Sequence, residues 1–244
     1  MKLIIDRGNH SIKFGFFDKQ TIVSVERIEN DDKKSVLNIV KKNKIEQTIL
    51  SSVICEKDDR FIEIILPYSG KLHILSHLTK LPFKNNYETP QTLGKDRVAA
   101  VAGAQFLYPN KNILVIDAGT AITYDLLIDN EYVGGNISPG LNMRLKSLHQ
   151  FTSSLPLVEI KLENEIPGKN TFNAISSGVL NGIVFEIQGY INFFQKKYGK
   201  ILTIITGGDA NYFVEKIKSP IFATPNLVLI GLNRILEYNE EIHN

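Results

Sequence analysis

Two short strings in this 244-residue chain place a carboxylate, a glycine and small polar side chains directly after a run of apolar residues. One is Asp6-Arg7-Gly8-Asn9-His10-Ser11, which follows Leu3-Ile4-Ile5; the other is Asp117-Ala118-Gly119-Thr120, which follows Ile113-Leu114-Val115-Ile116. A core has no use for that combination, but a nucleotide phosphate with its cation does. Glycine tolerates positive φ and lacks Cβ, so a phosphate can approach its backbone N–H. A carboxylate at the strand end holds a hard cation directly or through water, and Mg²⁺ keeps several waters beside one or two carboxylates. Asn9, Ser11 and Lys13 add donors and one positive charge. A single Asp-x-Gly is an ordinary turn. Here Asp6 maps to Asp117, Gly8 to Gly119 and Asp18 to Asp129, all at one offset of 111 residues (117 − 6). Two similar half-sites imply a cleft between two similar domains.

A second cluster is Tyr87-Glu88-Thr89-Pro90-Gln91-Thr92-Leu93-Gly94-Lys95-Asp96-Arg97. Asp96 and Arg97 stand where a loop enters a helix, so an N-terminal charge and a surface pair would explain them. The chemical reading is that Asp96 accepts a hydroxyl proton while Arg97 and Tyr87 hold an anionic or polar substrate. Arginine pairs bidentately with carboxylates, which suits an acid. A third cluster, Thr206-Gly207-Gly208-Asp209-Ala210, can be a plain turn or can bring backbone close to a nucleotide base or ribose. Gly94-Lys95 is followed by Asp96 and lacks the spacer of a Walker loop, and the dinucleotide fingerprint does not occur.

The elements that position these clusters follow from periodicity. Residues 1–27 read as three strands, the second alternating with Ile12, Phe14 and Phe16 on one face. Residues 30–44 read as a helix opened by Asp31-Asp32 and closed by lysines. Strand 48–54, helix 58–66 and strand 72–75 complete a first half, and 81–92 is a loop. Helix 94–107 is small-residue-rich. From 112 the order repeats, with strands to 138, a helix at 141–150, an irregular stretch at 155–169, and a long helix from about 172 to 198. Strand 202–205, helix 210–218, strand 221–223 and a closing helix at 226–238 finish it. The expected fold is α/β, with domains at 1–110 and 111–244.

The 43% hydrophobic and 22% charged content fits a globular chain and argues against disorder. A net charge of +2, with lysines spread rather than striped, argues against nucleic acid as a main partner. Cys55 is alone, so neither an internal disulfide nor a cysteine zinc site is expected. No apolar run approaches the roughly 20 residues that span a bilayer, and Asp6-Arg7 interrupts the first one, so a cytoplasmic location is expected. His73 and His77 are four apart, but the apolar residues around them look like a strand and no third ligand follows.

Taken together, the motifs resemble type III pantothenate kinase, a family of the acetate and sugar kinase, Hsp70 and actin superfamily. The resemblance rests on Asp6, Gly8, Asn9 and Lys13; on Tyr87, Pro90, Leu93, Gly94, Asp96 and Arg97; and on Asp117, Gly119, Thr120 and Ala121. It continues through Gly134, Gly135, Ile137, Pro139 and Gly140, then Thr171, Ala174, Ile175, Ser177 and Gly178, and Gly207-Gly208-Asp209-Ala210. His10 stands where the family usually has Thr, and Arg7 where it commonly has an apolar residue. The resemblance implies two ribonuclease-H-like (actin-like ATPase) domains with a cleft between them. It implies phosphorylation of the pantothenate hydroxyl by ATP, the first step of coenzyme A synthesis. By the same resemblance Asp6, Arg7, Gly8, Asn9, His10, Ser11, Ile12, Lys13 and Thr120 bind ATP, with Asp6 near Mg²⁺. Asp117 then holds K⁺ or NH₄⁺. Tyr87, Gly94, Lys95, Asp96, Arg97 and Thr171 bind pantothenate, with Asp96 as proton acceptor. A homodimer is implied, with the glycine-rich long helix as its candidate interface. Two other readings are a kinase for another hydroxy acid or sugar, and a non-catalytic regulator. The retained Asp6, Asp96 and Asp117 favour catalysis.

Overall fold

The computed structural model describes residues 1–30, 32–53, 59–160 and 166–242. Asp31, Cys55 and the expected element ends at Ile54 and Asp58 lie outside the described residues, as does part of the stretch expected to be irregular. Two compact units emerge from the packing: residues 1–109, 130–132 and 226–244 form one, and residues 110–129 and 133–225 the other.

The first unit opens with β1 (Lys2–Arg7), β2 (Ser11–Asp18) and β3 (Thr21–Glu29), followed by α1 (Lys33–Lys41), β4 (Gln47–Ser52), α2 (Asp59–Ile65) and β5 (Lys71–Ile74). Its sheet runs β3-β2-β1-β4-β5, antiparallel at β1–β2 and β2–β3 and parallel at β1–β4 and β4–β5. Leu3, Ile5, Ile12, Phe14 and Phe16 pack against Val36, Ile39, Val40, Phe61 and Ile65 of α1 and α2. Asp32 caps α1, its Oδ1 accepting from Ser35 N at 3.0 Å, which satisfies one orphan N–H of the first turn. The stretch expected to be a loop holds a two-residue strand, β6 (Lys84–Asn85), and leads into α3 (Lys95–Leu107).

The second unit repeats the plan with β7 (Ile113–Ala118), β8 (Ala121–Ile128), β9 (Glu131–Pro139, of which Val133 onward lies in this unit), α4 (Leu141–Gln150), α5 (Thr171–Tyr198), β10 (Leu202–Thr206), α6 (Asn211–Val214) and β11 (Phe222–Ala223). The strand order β9-β8-β7-β10-β11 matches that of the first sheet, antiparallel at β7–β8 and parallel at β7–β10 and β10–β11. Leu114, Ile116, Ile122, Tyr124 and Leu126 face Leu180, Ile183, Ile187 and Ile191 of α5. The chain thus holds two ribonuclease-H-like units. Helix α6 covers four residues rather than the nine expected at 210–218.

The closing helix α7 (Leu227–Glu241) belongs with the first unit, not with the second half in which chain order placed it. Its partner there is α3. A Cβ on Gly231 would run into the Ala99 carbonyl, and one on Gly103 would come 2.5 Å from the Leu227 carbonyl oxygen. Two glycines and the alanines of α3 therefore let the helix backbones touch. Lys2 Nζ meets Glu237 Oε1 at 2.9 Å and Asn233 Nδ2 donates to Lys19 O at 3.0 Å, fastening α7 to the start of the chain.

The repeat also has a one-residue slip. Arg7 pairs with Ile12 across the first turn, whereas Ala118 pairs with Ile122 across the second. The second turn is one residue shorter, so the strands after it correspond at 110 rather than 111 positions (Phe17 and Leu127, opposite Lys2 and Ile113). The expected match of Asp18 with Asp129 is a coincidence of spacing. Asp18 ends β2, while Asp129 lies beyond β8 in the turn at φ 49°, a place that Lys19 holds in the first unit at φ 52°.

Candidate active site

In the first unit, strand alternation sends Asp6 and Arg7 to opposite faces of β1. Arg7 is buried and its guanidinium carbon lies 4.7 Å from the Phe61 ring centre. Asp6 stands across from Lys13 in the β1–β2 register. Its Oδ1 is sealed from solvent with no hydrogen-bond partner. Burial, and after it the charge of Asp96, push the Asp6 carboxyl up to about 6, against the lowering pull of Lys13. A sealed, uncompensated carboxylate oxygen costs free energy that a hard cation would offset, so Asp6 fits a Mg²⁺ ligand.

The Gly8–Ser11 turn departs from the expectation drawn for its glycine. Gly8 N donates to Ser11 O at 3.0 Å, and Gly119 N to Ala121 O at 3.1 Å, so both N–H groups expected at a phosphate close their own turns. Neither glycine has a positive φ. What they contribute is an absent side chain. Asn9 and His10 are exposed at the tip, and Ser11 Oγ accepts from Arg27 Nε at 3.0 Å. Asn30, outside every motif, donates from Nδ2 to Gly8 O (2.9 Å) and Asn9 O (2.8 Å) and so fixes the turn. No local pattern marks Asn30; its role depends on where β3 ends.

Asp96 and Arg97 occupy the first turn of α3, behind Gly94. A Cβ on Gly94 would stand 2.5 Å from Asp96 Oδ1, so glycine here leaves room for the carboxylate. Asp96 Oδ1 accepts from Arg97 N at 2.9 Å, and a carboxylate in a first helical turn suits the positive end of the dipole. Arg97 is buried, with its Cζ 5.7 Å from the Tyr87 ring centre. Tyr87, Gly94, Lys95, Asp96 and Arg97 thus form one cluster, and the charge of Asp96 reaches Asp6 although 90 residues (96 − 6) separate them.

In the second unit three turns converge. Gly140 N donates to Thr120 O at 3.1 Å and Asp209 N to Ala118 O at 2.9 Å. Gly207, at φ 98°, is the glycine that needs its left-handed freedom; a Cβ there would stand 2.5 Å from Asp117 Oδ1. The register partners of Asp117 are Thr123 on β8 and Thr206 on β10. This oxygen-rich set suits a cation that prefers oxygen ligands. Thr120 is exposed beside it, and burial raises the Asp209 carboxyl. Asp209, Asn142, Lys146 and Tyr212 line a cavity of about 340 Å³. Thr171 is the first residue of α5, whose N-cap Asn170 accepts from Asn173 N at 2.9 Å. His73 sits on β5, its Nε2 3.1 Å from Thr79 Oγ1.

The chain is similar to known proteins over most of its length. A family model described as type III pantothenate kinase matches residues 2–192. A type III pantothenate kinase of Phocaeicola vulgatus is 45% identical over 244 residues, covering 99% of this chain and 100% of that one. One of Bacteroides fragilis is 47% identical, with 98% of each chain covered. Among solved structures, a conserved Baf family protein from Campylobacter jejuni superposes at a TM-score of 0.65, with 23% identity over 98% of this chain and 99% of that one. Component A of (R)-2-hydroxyglutaryl-CoA dehydratase from Acidaminococcus fermentans reaches 0.54 at 15% identity, covering 100% and 99%. These two likenesses concern the fold.

Proposed function

The chain belongs to the type III pantothenate kinase family, and from that premise we propose which of its residues carry the reaction. The activity is ATP-dependent phosphorylation of pantothenate, within coenzyme A biosynthesis. The pantothenate hydroxyl oxygen attacks the γ-phosphorus, the bond to the β,γ-bridging oxygen breaks, and Asp96 takes the hydroxyl proton. Phosphoryl transfer rests mainly on positioning and charge neutralisation, so an ordinary carboxylate accepting late is sufficient. The observation that carries this reading is the cluster at the start of α3, where Gly94 leaves room for the Asp96 carboxylate beside the buried Arg97 guanidinium and the Tyr87 ring.

Arg97, Tyr87, Gly94 and Lys95 hold pantothenate, the Arg97 fork taking its carboxylate, and Thr171 contributes from α5. The turn from Asp6 to Lys13, with Thr120, binds ATP. Gly8 leaves room there, Asn9, His10 and Ser11 supply polar groups, and Lys13 supplies charge. Arg7 and Ile12 shape the turn from the buried side. Asp6 is the Mg²⁺ ligand and Asp117 the ligand for K⁺ or NH₄⁺; when bound, these cations neutralise charge on the phosphates. We place the enzyme in the cytoplasm as a homodimer. The candidate seam is a stripe on α5 formed by Gly178, Gly182, Phe185, Gly189 and Phe193. Phe185 and Phe193 are 66% and 58% exposed, and nothing lies within 4 Å of a Cβ on the three glycines. Sedimentation as a fully active monomer would remove that interface.

Incubating the purified protein with ATP, Mg²⁺, K⁺ and pantothenate tests the activity. Formation of 4'-phosphopantothenate is expected. ATP turnover with another hydroxy acid or a sugar, and none with pantothenate, would overturn it.

A further inference from the structure

Asn130 to Tyr132 belong to the first unit although their sequence neighbours belong to the second. They pair with the segment that carries Tyr87: Lys84 N donates to Asn130 O at 3.2 Å and Asn86 N to Tyr132 O at 3.0 Å. Glu131 adds an ion pair to Lys84 at 2.9 Å and accepts from Asn86 Nδ2 at 2.5 Å. The Tyr132 ring, fully buried, stands 6.4 Å from Phe83 and 5.9 Å from Tyr87 between centres. Its hydroxyl oxygen accepts from Arg97 Nη2 at 2.9 Å.

Arg97 is 5% exposed, and a buried guanidinium must have its donors met, or it bears an uncompensated desolvation cost. It also has many rotamers to lose when unrestrained. Tyr132 meets one donor and fixes the plane of the fork, while Tyr87 covers its face. An arginine ordered before substrate arrives does not lose that freedom on binding. We propose that Tyr132 is a positioning residue that presets Arg97 for the substrate carboxylate and thereby sets selectivity for an acid. The inference rests on the reading of Arg97 given above.

Tyr132→Phe tests it, since it removes one oxygen and keeps the ring. The KM for pantothenate is expected to rise about tenfold, which corresponds to about 1.4 kcal/mol. The kcat and the KM for ATP should stay within about twofold, as befits lost ground-state binding. With the analogue whose carboxylate is reduced to an alcohol, the KM should also change less than about twofold. An equal rise for both substrates, or none, overturns the proposal. Phe83→Leu loosens the same ring without touching the hydrogen bond; it should lower the melting temperature and leave the two substrates unseparated. If it separates them as Tyr132→Phe does, packing is the cause and the proposal fails. Arg97→Lys, which keeps the charge and loses the fork, must itself raise the pantothenate KM. No effect there overturns the reading of Arg97 and this inference with it, whereas an effect there with none from Tyr132→Phe overturns the inference alone.

Discussion

Replacing Asp6 by Asn should stabilise the ligand-free protein, and the gain should grow with pH. Burial raises the folded-state pKa from 3.8 to about 6, so the folded chain prefers the protonated acid. Below the unfolded value both states carry the proton and nothing is lost. Between the two values the unfolded chain ionises first, and stability falls as pH rises until the folded group also ionises. Linkage then gives a deficit of about 1 kcal/mol at pH 4.5 and about 3 kcal/mol at pH 8. Asn never ionises and escapes this deficit. Any fixed cost of its buried amide is the same at every pH, so the change with pH is diagnostic. At about 2–4 °C per kcal/mol for a chain of this size, the melting temperature of Asp6→Asn minus that of the parent should increase by about 4–8 °C between pH 4.5 and 8. Scanning calorimetry without nucleotide or Mg²⁺ measures it. A difference that is flat, or that shrinks as pH rises, would refute the argument that Asp6 is a desolvated acid waiting for a cation.

Gly231→Ala forces a methyl against the Ala99 carbonyl at the α3–α7 contact; overpacking against backbone should cost about 2–3 kcal/mol, read as a lower denaturant midpoint. Replacing K⁺ by Na⁺ should depress turnover of the parent, and Asp117→Asn should remove most of the distinction between the two ions; a parent indifferent to the swap would strip Asp117 of its assigned ligand.

The repeated strand-turn-strand was legible because β1 and β7 are buried on both faces and therefore read as unbroken apolar runs. Their acids stand out against that background. The reach of α7 was not legible: helix spacing shows an apolar face but not the partner, and the Gly231–Ala99 approach is tertiary. The fixed offset misled at Asp18 because a one-residue deletion within a turn leaves no trace in composition. The engagement of the Gly8 and Gly119 N–H groups within their own turns is likewise invisible in the sequence, since backbone donors in a tight turn are satisfied by whichever carbonyl the local fold brings near. Asn30 and Tyr132 carry no mark in the sequence because each acts through a neighbour, Asn30 on the Gly8 turn and Tyr132 on Arg97. Neither role has a spacing rule.

The central proposal is Asp96 as the proton acceptor in pantothenate phosphorylation. The direct test is the steady-state turnover of Asp96→Asn with saturating ATP, Mg²⁺, K⁺ and pantothenate. General-base assistance is typically worth about 10²–10⁴-fold, so kcat should fall by about that factor while the KM for ATP stays close to that of the parent. Turnover of Asp96→Asn near the parental value would contradict the account.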